Sequence, residues 1–289
     1  MSVFSCDVTE NIPIYDNHIH LSPRGRNIEA LKEFESAGGT GLTLVTLPYD
    51  EVVISEADDF LRSYQITLSM AERARSSTEL KINVAVGPYP VLILPLAERF
   101  GLEKAEKMMI SGMNIAAELV ASGKANAIGE IGRPHFDVSE EITVSSNRIL
   151  LHGMELAAEN GCPVIIHCES GSPELMKELS EMAGSASLDP GMVIKHFCPP
   201  LVRDDETHGV MPSIPASRRS VREALSKGDR FMLETDHIDD PERPGAVMSV
   251  NTVPKRVLAM LSNGEMSEGT AWKIGADIPK MYDGPKGKH

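Results

Sequence analysis

Short runs of Val, Ile and Leu recur along the chain, each followed by a longer stretch in which apolar residues return at helical spacing. That alternation is the pattern of repeated strand–helix units joined into a parallel sheet. Residues 14–20, 42–47, 82–86 and 127–131 are predicted as the first four strands. Residues 164–168, 193–197, roughly 209–214 and 231–235 are predicted as the second four, the seventh being flanked by prolines. Eight strands in a strand–helix repeat give an α/β fold of the (β/α)8 TIM-barrel type, with room for distortion.

Helices are predicted over residues 28–36, 58–74, 103–120, 146–159, 173–182 and 218–225. Ser172 before Pro173, and Ser217 before Arg218, read as N-caps. Gly161 and Gly228 read as left-handed residues that close helices. Pro88, Pro90 and Pro95 interrupt the apolar run 87–100, which is therefore expected to be a loop packed on a neighbour, as at a contact between subunits of a homo-oligomer. No Ser/Gly-rich linker, internal repeat or block of like charge divides the sequence, so residues 1–289 are read as a single domain.

Composition changes this picture little. With 42% hydrophobic and 24% charged residues the chain can bury a large core. Four cysteines in 289 residues are too sparse for a disulfide framework. Residues 1–11 lack a basic stretch followed by an apolar run, and no segment is apolar over the length of a membrane span, so a cytoplasmic protein without a membrane partner is expected. Charge matters more. A formal net charge of −14 repels polyanions at long range and counts against a DNA-coating role.

The chemistry sits at strand ends. Asp16, His18 and His20 alternate in the first strand, so their side chains share one face. Glu130 lies in Ala127-Ile128-Gly129-Glu130-Ile131-Gly132 with no polar neighbour in the strand, so it is expected either to face a cation or to be exposed at the strand end. His167 follows Val164-Ile165-Ile166, His196 follows Val193-Ile194-Lys195, and Asp236 follows Leu233-Glu234-Thr235. Barrel active sites are built at the C-terminal ends of strands, which is where these residues fall. Four imidazoles and two carboxylates suffice for two divalent cations sharing a carboxylate.

Order and spacing of these segments resemble the TatD-like metal-dependent hydrolases of the amidohydrolase superfamily. The resemblance runs from Tyr15-Asp16-Asn17-His18-Ile19-His20, through Ile128-Gly129-Glu130-Ile131-Gly132 and Val164-Ile165-Ile166-His167, to Leu233-Glu234-Thr235-Asp236. It implies one metal held by His18, His20, Glu130 and Asp236, and a second held by Glu130, His167 and His196. Three positions depart from the family pattern. Glu169 stands where an arginine is frequent, Arg133-Pro134-His135-Phe136 follows Gly132 in place of Leu-Asp, and Phe197-Cys198-Pro199-Pro200 follows His196. They resemble an archaeal-type branch of barrel hydrolases.

The reading that follows is a hydrolase in which a hydroxide shared by two Zn2+, Mn2+ or Mg2+ ions attacks a phosphoester or phosphodiester, as in a nuclease, with Glu130 and Asp236 as catalytic carboxylates. The alternatives are hydrolysis of an amide, lactone or carboxylic ester, and a metal-dependent binding protein without catalysis. Asp16 either fixes an imidazole or is a rim carboxylate. Arginines 24, 26, 133, 203, 218, 219 and 243 follow strands on the metal-bearing rim, so Arg133 and Arg218 are candidate contacts for a small anionic substrate or a nucleic-acid end; the competing role is pairing with some of the 42 acidic residues. His135 is a candidate substrate contact, and Glu169 meets either a substrate amine or a rim arginine.

Overall fold

The computed structural model describes residues 12–240, 242 and 248–284. Among them β1 (Tyr15–His20), β2 (Gly41–Val45), β3 (Lys81–Val86), β4 (Ala127–Gly132), β5 (Val164–His167), β6 (Val193–Lys195), β7 (Met211–Pro215), β8 (Met232–Glu234) and β9 (His237–Ile238) form one sheet. The order is β8-β7-β6-β5-β4-β3-β2-β1-β9, and all pairings are parallel. The predicted eighth strand is shorter than expected because the chain turns left-handed at Asp236, with φ 51°. That turn joins β8, paired with β7, to β9, paired with β1, so the two ends of the sheet meet. The seam is tightened where Thr235 donates its backbone N–H (3.1 Å) and hydroxyl (2.7 Å) to Asp16. The result is a barrel of the (β/α)8 type.

The helices are α1 (Ile28–Ser36), α2 (Ala57–Arg75), α3 (Ile93–Phe100), α4 (Leu102–Ala121), α5 (Glu140–Asn160), α6 (Pro173–Ser185), α7 (Asp204–Thr207), α8 (Arg218–Lys227), α9 (Thr252–Ser262) and α10 (Glu268–Trp272). Ser172 and Ser217 cap α6 and α8 by accepting from Leu175 N and Ser220 N. Helix α5 starts earlier than the pattern predicts. Ser139 caps it, and the turn that follows holds Glu140 and Glu141, whose charges suit a helix N-terminus but obscure its periodicity. Segment 87–100 is also more regular than expected, a 3-10 turn (Pro90–Leu92) running into α3. Pro90 and Pro95 fall in the first turns of these elements, where a missing N–H breaks no bond. Gly161 ends α5 left-handed at φ 61°, whereas Gly228 ends α8 in extended backbone.

One apolar side chain from each of β1 to β8, from Tyr15 to Met232, meets in a layer inside the barrel. Tyr282, from a 3-10 turn (Ile278–Asp283), closes that layer from beneath. Its hydroxyl donates to Asn17 Oδ1 at 2.6 Å and its carbonyl accepts from Asn126 Nδ2 at 3.2 Å. The outward faces of the strands pack on the helices in two further clusters. With the interior filled, polar side chains pointing inward have room only at the opposite mouth.

Candidate metal centre

Two irregularities of the sheet fall at that mouth. Pairing of β1 with β2 shifts register between Asp16 and Ile19, and pairing of β4 with β5 shifts between Gly129 and Ile131. Such bulges re-aim side chains, and the two here flank His18 and contain Glu130. The consequence is convergence. Glu130 Oε1 lies 3.2 Å from His18 Nε2, 3.1 Å from His196 Nε2 and 3.3 Å from His167 Nδ1. His18 Nε2 and His20 Nε2 are 3.1 Å apart, and His20 Nε2 is 3.5 Å from Asp236 Oδ1. Two groups, His18–Glu130–His196 and His18–His20–Asp236, thus bring donor atoms within reach of a single ion each.

These spacings fit a metal. Donors bound at ~2.05 Å in a tetrahedron sit about 3.3 Å from one another. Protons alone fit poorly, since three imidazoliums round one carboxylate oxygen would repel and two adjacent Nε2 lone pairs cannot hydrogen-bond to each other without one. His20 Nδ1 lies 2.9 Å from the Val45 carbonyl, an acceptor only, which holds the proton on Nδ1 and leaves Nε2 free as a ligand.

The electrostatics are those of a site that demands positive charge. Burial alone would raise the pKa of Glu130, but the fields of His196, His167 and His18 hold it well below the usual carboxylate range. Asp236 likewise ends low despite burial, through its bond to His20 and the nearby imidazoles. His18 is driven up to about 9, Glu130 overcoming a burial effect that lowers it, while His196 is pushed down by burial and by His18. Asp16 is raised to about 7 by burial, against its hydrogen bonds from Thr235 and His18 N. It makes no contact with an imidazole nitrogen among the described residues. Its carboxylate instead joins β1 to the β8–β9 turn, which places His18 beside Asp236.

Two of the side chains predicted as substrate contacts are tied to each other. Arg133 is buried, and its guanidinium bonds Glu169 Oε1 and Glu178 Oε1, both at 2.7 Å, and Asn147 Oδ1 at 3.1 Å. The arginine that was a candidate for an anion pocket is held between two carboxylates, and Glu169 is half of that clamp. Arg218 starts α8 on the exposed surface, and its field acts on Arg256 and Glu265, away from the metal-site cavity. Arg24 bridges Asp50 and Glu51, and Arg26 pairs with Glu33. Arg243 lies outside the described residues. His135 does reach the site: its Nδ1 is 2.8 Å from His167 Nε2, so it meets the imidazole on the side away from Glu130.

Glu234 is the functional residue that sequence reasoning did not single out. Fully buried, it accepts from Phe197 N at 2.7 Å and Ser213 Oγ at 2.5 Å, and its Oε1 is 3.2 Å from His196 Nδ1. A carboxylate behind a ligating imidazole fixes the ring and raises its basicity. Strand parity was the available signal: Glu234 shares its face with Met232, which points into the barrel. Glu234→Gln is expected to weaken metal affinity about 10- to 100-fold with the fold intact. Titration with a competing chelator measures this, and unchanged affinity would remove the role.

The centre opens into a cavity of about 340 Å³ lined by His20, Tyr89, Glu130, His167, His196 and Asp236. Its rim carries Asp50, Glu51, Asp240 and Glu242, with Arg24 as the one cation among the described lining residues.

Comparison with known proteins bears on this arrangement. The family described as TatD related DNase matches residues 15–282. An uncharacterized protein of Methanocaldococcus jannaschii is 36% identical over 282 residues, covering 96% of this chain and 98% of that protein. Among solved structures, the TatD homologue of Escherichia coli K12 superposes with TM-score 0.62 at 16% identity, over 92% of this chain and 97% of its own. The TatD-like protein of Archaeoglobus fulgidus gives TM-score 0.59 at 19% identity, over 93% and 99%. At those identities the two structures speak to the fold alone.

Proposed function

The chain belongs to the TatD-related DNase family of metal-dependent hydrolases, and on that premise we propose that it cleaves an ester bond of a small substrate, a phosphoester before others, at a pair of divalent cations. The observation that carries this reading is the approach of three imidazoles to one oxygen of Glu130, with His20 and Asp236 completing a second group beside them. His18, His20, Glu130 and Asp236 would hold one ion, and Glu130, His167 and His196 the other. Zn2+, Mn2+ or Mg2+ bound there would supply a water of lowered pKa and polarise the bond to be broken.

The protein's own groups do the rest. Glu130, buried and held ionised, cancels charge at the centre and keeps the imidazoles facing it. Asp236 is the one member of the constellation on the cavity wall that combines a carboxylate kept deprotonated with partial exposure, 16% of its side chain. It accepts the proton of the attacking water on a carboxylate oxygen and returns it to the leaving group. His167 is steadied from behind by His135, and His196 by Glu234.

The acidic rim bears on substrate size. Among the described lining residues carboxylates outnumber Arg24, which Asp50 and Glu51 already hold, and this supports a small phosphoester over a duplex end. The same rim, with Arg133 held by Glu169 and Glu178, favours a second reading: hydrolysis of a carboxylic ester, lactone or amide, which needs no phosphate clamp.

Elemental analysis joined to activity assays tests both. Purified protein is expected to carry metal, to lose hydrolysis of its best ester on dialysis against chelator, and to regain it on metal add-back. Bound metal at 100 times its Kd should add about 2.7 kcal/mol of stability, seen as a raised Tm. Full activity in metal-stripped protein would overturn the proposal. Inactivity on phosphoester and carboxylic-ester panels alike, despite bound metal, would leave a binding protein.

A further inference from the structure

A second cavity, of about 310 Å³, lies against the metal-site cavity, between the segment after β2 and the segment from Gly87 into α3. The two share Leu47, Pro48, Tyr49, Asp50 and Tyr89 as lining residues. Their characters differ. The first is walled by ligands and carboxylates, whereas the second is walled chiefly by Val52, Ile54, Phe60, Leu92 and Leu96, with three prolines.

The polar side chains that line this second cavity are occupied elsewhere. Thr46 and Tyr49 hydroxyls meet Thr67 Oγ1 at 2.9 and 2.8 Å, Ser63 donates to Leu47 O, and Tyr64 donates to Gly112 O. Arg99 donates to Ile54 O at 3.1 Å, and Asp50 is bound by Arg24. Tyr89 points its hydroxyl towards His167 Nε2, 3.5 Å away. A polar ligand would find few free partners along these walls. A hydrocarbon group would fill it and gain by leaving water.

We propose that this cavity is the specificity pocket of the reaction, taking an apolar group of the substrate, of aryl or branched-alkyl size, while the bond to be cleaved lies at the metal centre next door. The substrate class is then a small ester with one apolar arm. This deepens the reading of the metal centre and rests on it. Shared walls supply the continuity, and the apolar lining selects the arm.

The test separates the pocket from the metal. In the first arm, crystals of metal-free protein are soaked with benzylphosphonate; its aryl ring among Phe60, Leu92 and Leu96 is expected, and a ring bound elsewhere overturns the proposal. In the second, isothermal titration of the metal-loaded protein compares methylphosphonate with benzylphosphonate. The benzyl compound is expected to bind at least about tenfold tighter, the advantage of burying one aryl group. Leu92→Trp, which fills the cavity, should erase that advantage and leave methylphosphonate binding and metal content unchanged. Val53→Trp is a second blocking variant at a residue 65% exposed, where the fold is not at risk. Equal affinities for the two phosphonates, or an advantage that survives both variants, overturns the inference while the metal reading stands. Failure of both phosphonates to bind a protein shown by elemental analysis to hold metal counts against the substrate reading of the centre, and the inference falls with it.

Discussion

Glu130→Gln is expected to lower kcat/KM by about 10³-fold or more, roughly 4 kcal/mol of lost transition-state stabilisation, and to leave the purified protein depleted of metal. One oxygen of this side chain stands within 3.3 Å of three imidazole nitrogens, so both ion positions depend on it. The amide keeps the shape but removes the charge that the imidazoles face, and it can turn an NH2 towards them. Loss of packing is not expected, since Gln fills the same volume. Elemental analysis beside steady-state kinetics checks the claim. A Gln variant with full metal content and a rate within tenfold of the parent would refute the shared-ligand role.

Asp236→Asn is expected to act differently, lowering kcat by about 10²- to 10⁴-fold with metal content reduced less than in Glu130→Gln. Asp236 comes nearest to His20, at 3.5 Å, and lies on the cavity wall, so it contributes one ligand but is the group placed to accept a proton. Asn retains an oxygen for coordination and tolerates the left-handed φ of 51° that Asp236 adopts. Its amide cannot take the proton. If metal-replete Asp236→Asn keeps the parent kcat, the base is another group, and Asp236 is a ligand alone.

Much of this architecture could be read before any coordinates. Strand period and strand-end chemistry are local properties, and the eight apolar runs each appear as strands within a few residues of their predicted bounds. The six ligand candidates were legible because each is an ionisable residue set in a predicted strand or directly after one. Features that depend on what lies across the barrel were not. Arg133 is followed at once by Pro134 and His135, so nothing near it in sequence announces Glu178, which is 45 positions away on α6. Glu234 looked like one more polar residue beside a motif, because parity gives its face but not the imidazole behind which it stands. The break between β8 and β9 was hidden for a related reason: hydropathy reports burial, and the chain stays buried through Thr235 while its hydrogen bonds change partner from β7 to β1.

Tyr282 lays the floor beneath the first strand, and it bonds a residue 265 positions earlier, next to His18. On the ribosome, β1 is therefore not supported from below until Tyr282 has emerged. Under the proposed function, ion loading is a late event in the life of each molecule. A nascent chain that captured a cation through His18 and His20 alone would hold it with two ligands instead of four, loosely enough to be exchanged once the remaining strands arrive.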